Sequence, residues 1–260
     1  MPYPIAHPGA VLPLFGLMGR WSVPSALVIG SIVPDLWYFV PLAPRAASHS
    51  AAGLLFFCLP YGLVAYLTFH SLLKRPLAAL LPARLAPFMA KGIPRRPWRA
   101  VLLCLLVGSA THLAWDSFTH EHGLIVEKFP AFQVQIFAIG SYRVHLFQLL
   151  QHASTLLGVG FVCWWTWRAF NRLPANDAAC AFFALKTRLL IASALLALSA
   201  GWAAWQASVP SSFDPLALRT AVRSAGLAAA EALALGVLAY SLATTWLLGR
   251  SRAPRSPGGR

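Results

Sequence analysis

The sequence predicts an all-α fold, a polytopic integral-membrane helical bundle, and three observations carry that reading. Of 260 residues, 58% are hydrophobic and 11% charged, too few charges to coat a soluble core. The apolar residues gather in runs of about 20, enough for a helix to cross a hydrocarbon layer of roughly 30 Å. The 21 Lys and Arg, set against seven acids, sit largely in the short links between those runs, where cytoplasmic-side anchoring needs them.

Taken in order, Val11–Leu17 is short and reads as an interfacial helix. Pro24–Leu42 has the length of a crossing, but Pro34-Asp35 interrupts it, since proline removes a backbone donor and clashes with the preceding turn. It is either a kinked crossing or a re-entrant pair of half-helices. Five clear spans follow: Ala51–Phe69, Val101–Thr119, Leu146–Trp167, Leu189–Ala207 and Ser224–Leu248. Residues 1–250 read as a single membrane domain, and the basic, turn-rich residues 251–260 as a flexible tail. There is no evident repeat and no glycine-rich phosphate loop, so no organic cofactor is indicated.

The link from His70 to Ala100 carries Lys74, Arg75, Arg84, Lys91, Arg95, Arg96 and Arg99 and no acid, which places it in the cytoplasm. Later links then alternate: Arg168, Arg172, Lys186 and Arg188 fall inside, as do Arg250, Arg252, Arg255 and Arg260, so the C-terminus is cytoplasmic. His120–His145 and Ser208–Arg223 fall outside. The N-terminus is inside with six crossings, or outside with a re-entrant Pro24–Leu42. The positive charge has no aromatic–basic motif beside it, so no nucleic acid is expected as partner; the partner is the lipid bilayer. Cys58, Cys104, Cys163 and Cys180 form no CxxC pair and read as small apolar filler. Pro2, Pro4, His7 and Pro8 occupy the place of a basic n-region, which argues against a cleaved signal peptide.

The densest polar feature is Thr111-His112-Leu-Ala-Trp-Asp116-Ser-Phe-Thr119-His120-Glu121-His122. His112 and Asp116, four apart, face one way on a helix, and His120 continues the line. Imidazole and carboxylate at that spacing suit a divalent metal; the competing reading is a helix end with interfacial hydrogen bonds. Burying Asp116 without a partner would be costly. His112 lies seven residues inward from Thr119, about 10 Å by helical rise; His152 lies seven inward from His145, and Glu231 seven inward from Ser224. His120, His145, His152 and Glu231 thus form a further polar set of comparable depth. His7, Asp35 and His49 come from the N-terminal third. Asp35, beside a helix break, is either an ion or substrate site or a kink with a paired acid. Ser48-His49-Ser50 precedes a span as a boundary cap, a phosphate contact or part of a metal shell.

Pro4-Ile-Ala-His7-Pro8, Gly30-Ser-Ile-Val-Pro34-Asp35, Ser48-His49-Ser50 and Thr111-His112-Leu-Ala-Trp-Asp116-Ser-Phe-Thr119-His120 together resemble a bacterial membrane-protein family catalogued as domain of unknown function 4184. The pattern is also distantly similar to membrane-bound metal-dependent hydrolases related to zinc phospholipases. That resemblance implies a metal site from His7, Asp35, His49, His112 and Asp116, with Asp35 and Asp116 also catalytic, and zinc or manganese as the ion. It implies a phospholipid or lipid-linked phosphate substrate near the outer face of a bacterial cytoplasmic (inner) membrane, and favours the re-entrant N-terminus. The chain departs from the hydrolase pattern after His145, where Leu149 stands in place of a Glu, so a third metal position is not matched. The competing expectation is a non-catalytic structural protein, or an ion-coupled transporter with a polar intramembrane cluster.

Overall fold

The structure is a computed structural model and describes residues 4–38, 45–82, 96–140, 142–172, 183–207 and 215–250. The chain is a multi-pass helical membrane protein, with five helices long and apolar enough to cross a bilayer. The principal helices are α1 (Pro24–Gly30), α2 (Ala51–Leu80), α3 (Trp98–Thr119), α4 (Leu146–Asn171), α5 (Leu185–Gln206) and α6 (Pro215–Arg250). Each of the five expected spans lies on one of α2 to α6. The helices outrun the apolar windows, as α2 does past Lys74 and Arg75, because backbone hydrogen bonding continues where hydropathy stops. Within α2, Leu54–Cys58 and Phe69–Leu73 are π-helical turns. The end of the Pro24–Leu42 stretch, the basic residues Arg84, Lys91 and Arg95, Cys180 and the tail 251–260 lie outside the described residues.

The His120–His145 link is more structured than its sequence suggested. It holds a short helix at Leu124–Lys128 and an antiparallel hairpin of β1 (Gln135–Ile139) and β2 (Tyr142–His145). Gly140, at φ 60°, makes the reversal in a backbone region that side chains disfavour. These strands are too short and too exposed for hydrophobic periodicity to reveal them.

The described chain divides into two compact units. The first holds Met1–Tyr66, Pro94–Leu173 and Pro210–Thr220. Its core gathers Val11, Val23, Ala26, Leu27, Tyr66, Val101, Cys104 and Leu105. The N-terminal stretch runs along α3 and back. His7 lies by Asp116, at the C-terminal end of α3; the Trp21 ring stands 5.4 Å from the Arg99 guanidinium, at the other end; and His112 Nδ1 then meets the Ser31 carbonyl at 2.8 Å. His7 and Asp35 therefore share one end of α3, and the chain reverses between them at Trp21–Val23, ahead of the Pro24–Leu42 stretch, rather than at Pro34-Asp35. Cys104 does more than fill space: its Sγ accepts from Val23 N at 3.3 Å and donates to the Trp21 carbonyl at 3.1 Å, fixing the bend between the two limbs.

Two glycines let α1 and α3 cross at close range. A Cβ on Gly108 would meet the Leu27 carbonyl and lie 2.8 Å from Ser31 N, while one on Gly30 would meet the Leu105 carbonyl. Small residues at such crossings are how membrane helices gain contact without a hydrophobic driving force.

The second unit holds Leu67–Ile93, Pro174–Val209 and Ala221–Arg260. In it the Tyr240 hydroxyl donates to the Pro76 carbonyl at 2.9 Å, and Arg188 donates to the Leu81 carbonyl at 2.7 Å. The latter satisfies a backbone acceptor at the C-terminal end of α2, where intrahelical donors run out.

Candidate metal centre

Four segments of the first unit bring polar side chains to the C-terminal end of α3. His7 enters just ahead of the short helix Pro8–Val11, where proline at the first helical position suits the backbone. Asp35 stands on the 3-10 turn Val33–Tyr38, which begins beside Pro34. His49 precedes α2, whose N-cap is Ser50: its Oγ accepts from Gly53 N at 2.9 Å. His112 and Asp116 share one face of α3, and His120 caps that helix's end.

The donor atoms converge. His112 Nε2 lies 3.7 Å from Asp35 Oδ1 and 3.4 Å from Asp116 Oδ2; His49 Nε2 lies 3.6 Å and 3.4 Å from the same two oxygens. On the other carboxylate oxygen, Asp116 Oδ1, His7 Nε2 stands at 3.6 Å and His120 Nδ1 at 3.3 Å. Two groups of three have ligand atoms mutually within 4.8 Å: His7, Asp35 and His112, and His49, His112 and Asp116. His7, Asp35 and His112 are almost wholly buried, and His7 stacks on His112 with ring centroids 3.7 Å apart.

These spacings bear on two chemistries. Charge-assisted hydrogen bonds bring nitrogen and oxygen to roughly 2.7–2.9 Å, closer than the His–Asp pairs just given. Ligand atoms bound at about 2.0–2.2 Å around one tetrahedral ion stand about 3.3–3.6 Å apart, close to the spacings found. The second nitrogen of His112 agrees. His112 Nδ1 is 2.8 Å from the Ser31 carbonyl, so it carries the hydrogen and Nε2 turns a lone pair inward. His49 Nδ1 lies 2.8 Å from Ser48 Oγ, a hydroxyl that can serve as donor or acceptor, and its Nε2 faces the two carboxylates. The His112 ring is posed as a metal-binding imidazole is. His7 Nε2, Asp35 Oδ1 and His112 Nε2 are buried with no hydrogen-bond partner among the described residues, which a polar atom tolerates poorly unless something else satisfies it. His7 lies outside the five spans; burial, aided by the neighbouring His112, pushes its pKa down to about 3, so its imidazole is neutral. The donor set fits a divalent cation.

Every residue the sequence offered as a metal ligand is thus in this cluster, and His120 joins it. The other three polar candidates stand on or at the start of other helices. The His145 backbone N–H donates to Gln148 Oε1 at 2.8 Å at the start of α4, and its ring stacks on Phe147. His152 is on an exposed face of α4, and Glu231 on an exposed face of α6. Sequence reasoning missed Ser31, whose carbonyl orients His112, and Trp115, whose ring meets His7 edge-on at 5.7 Å. Gly30, just before Ser31, was the available signal of close backbone approach. Ser48 and Ser50 divide the roles left open for their segment: one orients a ring, the other caps a helix.

A family model described as Domain of unknown function (DUF4184) matches residues 1–242. No curated protein and no solved structure matches the chain.

Proposed function

The chain belongs to the Domain of unknown function (DUF4184) family, and we propose that it is a metal-dependent phosphoester hydrolase acting on a lipid or lipid-linked phosphate near the outer face of a bacterial cytoplasmic membrane. The observation that carries this reading is the alternating ring of His49, Asp35, His112 and Asp116, with donor atoms 3.4–3.7 Å apart and both imidazoles anchored through Nδ1. His49 Nε2, His112 Nε2 and Asp116 Oδ2 would hold the ion, with Asp35 completing the set. The mixed nitrogen and carboxylate donors suit zinc or manganese. A divalent ion there supplies charge that acidifies water and offsets the negative charge building on a phosphoryl oxygen.

The chain's own groups do the rest. Asp35, anchored on a short turn beside a proline, is placed to orient a water and take its proton as the oxygen approaches phosphorus. Asp116 presents its second oxygen to His7 and His120, which keeps the carboxylate from rotating. Neutral His7 stacks over His112 and shields it from bulk water. The basic links support a cytoplasmic C-terminus, which sets this end of α3 toward the outer leaflet.

The test is purification without chelators, zinc and manganese measured by elemental analysis, and turnover of a phosphoester panel beside His112→Ala and Asp116→Asn. Stoichiometric metal with metal-dependent turnover, both lost in the variants, is the expected result. No bound metal sinks the mechanism. Metal without turnover favours a structural or ion-coupled transport role, which the Pro34-Asp35 break and the buried ionisable groups would also suit.

A further inference from the structure

A wide-open groove of about 510 Å³ lies between α3 and α4, both of them membrane spans by length and composition. That is the size of a small-molecule site. Thr111, Ala114, Trp115 and Phe118 of α3 face Leu150 and Ser154 of α4 across it. Its hydroxyls do not make it polar. Thr111 Oγ1 donates to the Gly108 carbonyl at 2.7 Å, Ser154 Oγ to the Gln151 carbonyl at 3.1 Å, and Thr119 Oγ1, also on the lining, reaches the Trp115 carbonyl at 3.3 Å. Each of these hydroxyls lies against a carbonyl of its own helix, and the walls present chiefly methyl, methylene and aromatic surface.

Two residues of the lining touch the cluster. Trp115 follows His112 by three residues, about 60° round the helix axis, and its ring edge meets His7. Thr119 follows Asp116 by the same interval, and its Oγ1 stands 3.3 Å from His120 Nδ1. Trp115 and Thr119 thus belong both to the lining and to the immediate surroundings of the cluster, and an apolar chain lying along α3 from Thr111 toward Thr119 ends next to the residue that meets His120.

We propose that this groove binds one hydrocarbon chain of a phosphate-bearing lipid, positioned so that the phosphate reaches the His–Asp cluster; the assignment rests on the function proposed above. Hydrocarbon is the occupant the walls accept, and the adjoining cluster of metal-binding groups is what would select a phosphate headgroup over none.

The probe is phosphatidic acid carrying a diazirine in one acyl chain, photolysed with the zinc-loaded full chain in nanodiscs, beside a diacylglycerol with the same labelled chain. Crosslinks are mapped by mass spectrometry. Phosphatidic acid should label peptides containing residues 111–119 and 150–154 well above diacylglycerol. Ala114→Trp, an exposed position on the groove wall, should reduce that labelling by about tenfold, the effect of displacing even two buried methylenes, while zinc content is unchanged. Equal labelling by the two lipids would mean the groove holds ordinary bilayer hydrocarbon, and overturns the proposal using the unaltered protein alone. Labelling that ignores Ala114→Trp in a variant that retains its zinc overturns it as well. Zinc content and phosphoester turnover are read separately, so failure of the hydrolase reading is distinguishable from failure of this one.

Discussion

A methyl group added at position 108 would strike the backbone of the helix that carries Ser31. The Cβ of Gly108→Ala would lie 2.8 Å from Ser31 N and closer still to the Leu27 carbonyl, whereas ordinary contact begins at 3.4 Å. Neither obstacle is a side chain that can swing away, so α1 and α3 must separate by about 0.6 Å or more. The 2.8 Å contact from His112 Nδ1 to the Ser31 carbonyl then stretches to the edge of hydrogen-bonding range. Overpacking costs about 1–3 kcal/mol and the weakened hydrogen bond about 1 kcal/mol more. For a chain of this size, a loss of about 2–4 kcal/mol lowers Tm by about 4–16 °C. Freeing the His112 ring should also weaken zinc binding by about 10–100-fold, the usual effect of losing a group that orients a ligand. Circular dichroism melts in detergent and equilibrium dialysis against buffered zinc measure both quantities. Gly160→Ala is the matched control, because a Cβ there meets nothing within 4 Å. A Gly108→Ala protein that melts and binds zinc as the control does would refute the idea that this crossing poses the ligand.

Asp116→Asn should abolish stoichiometric zinc or manganese, because it removes the one group facing four histidines, and elemental analysis reads this without any substrate. His152→Ala and Glu231→Gln should leave metal content within error, since both side chains are exposed; loss of metal in either would place a ligand outside the cluster. The metal-free protein should lose stability as pH falls from 6.5 toward 3. Across that window the unfolded chain protonates His7 at its ordinary pKa of 6.5 while the folded chain resists until about 3. In His7→Asn the His7 contribution to that slope should vanish, so an unchanged pH dependence of chemical unfolding would contradict the burial argument.

What was legible in the sequence follows from which physical signals are local. The five long apolar runs announce their helices because a bilayer imposes a length on them. The His112–Asp116 pair was legible because a four-residue interval fixes a shared face whatever the partners are. His7, Asp35 and His49 were legible chiefly as parts of a family pattern, since no local rule links residues that far apart. For Glu231 and His152, which stand on exposed faces, counting residues inward gives a position along a helix but not a direction around it. The hairpin after Gln133 and the Ser31 carbonyl were hidden for another reason. The first has little apolar alternation to display, and the second is a backbone atom, which every residue possesses.

The donor set also carries a schedule. His7, Asp35 and His49 leave the ribosome before α2, but Asp116 lies a full helical pair later. At a synthesis rate of about 5–20 residues per second, the stretch from His49 to Asp116 takes about 3–13 s. Through that interval the growing chain offers two histidines and one carboxylate with no helix to hold them together. Because α3 supplies both His112 and the end of the cluster that bears Asp116, a protein arrested before α3 is inserted cannot assemble the ring. With the metal site proposed above, capture of an ion would mark completion of the second long helix, and nascent chains truncated on either side of Thr119 would differ in whether they retain one.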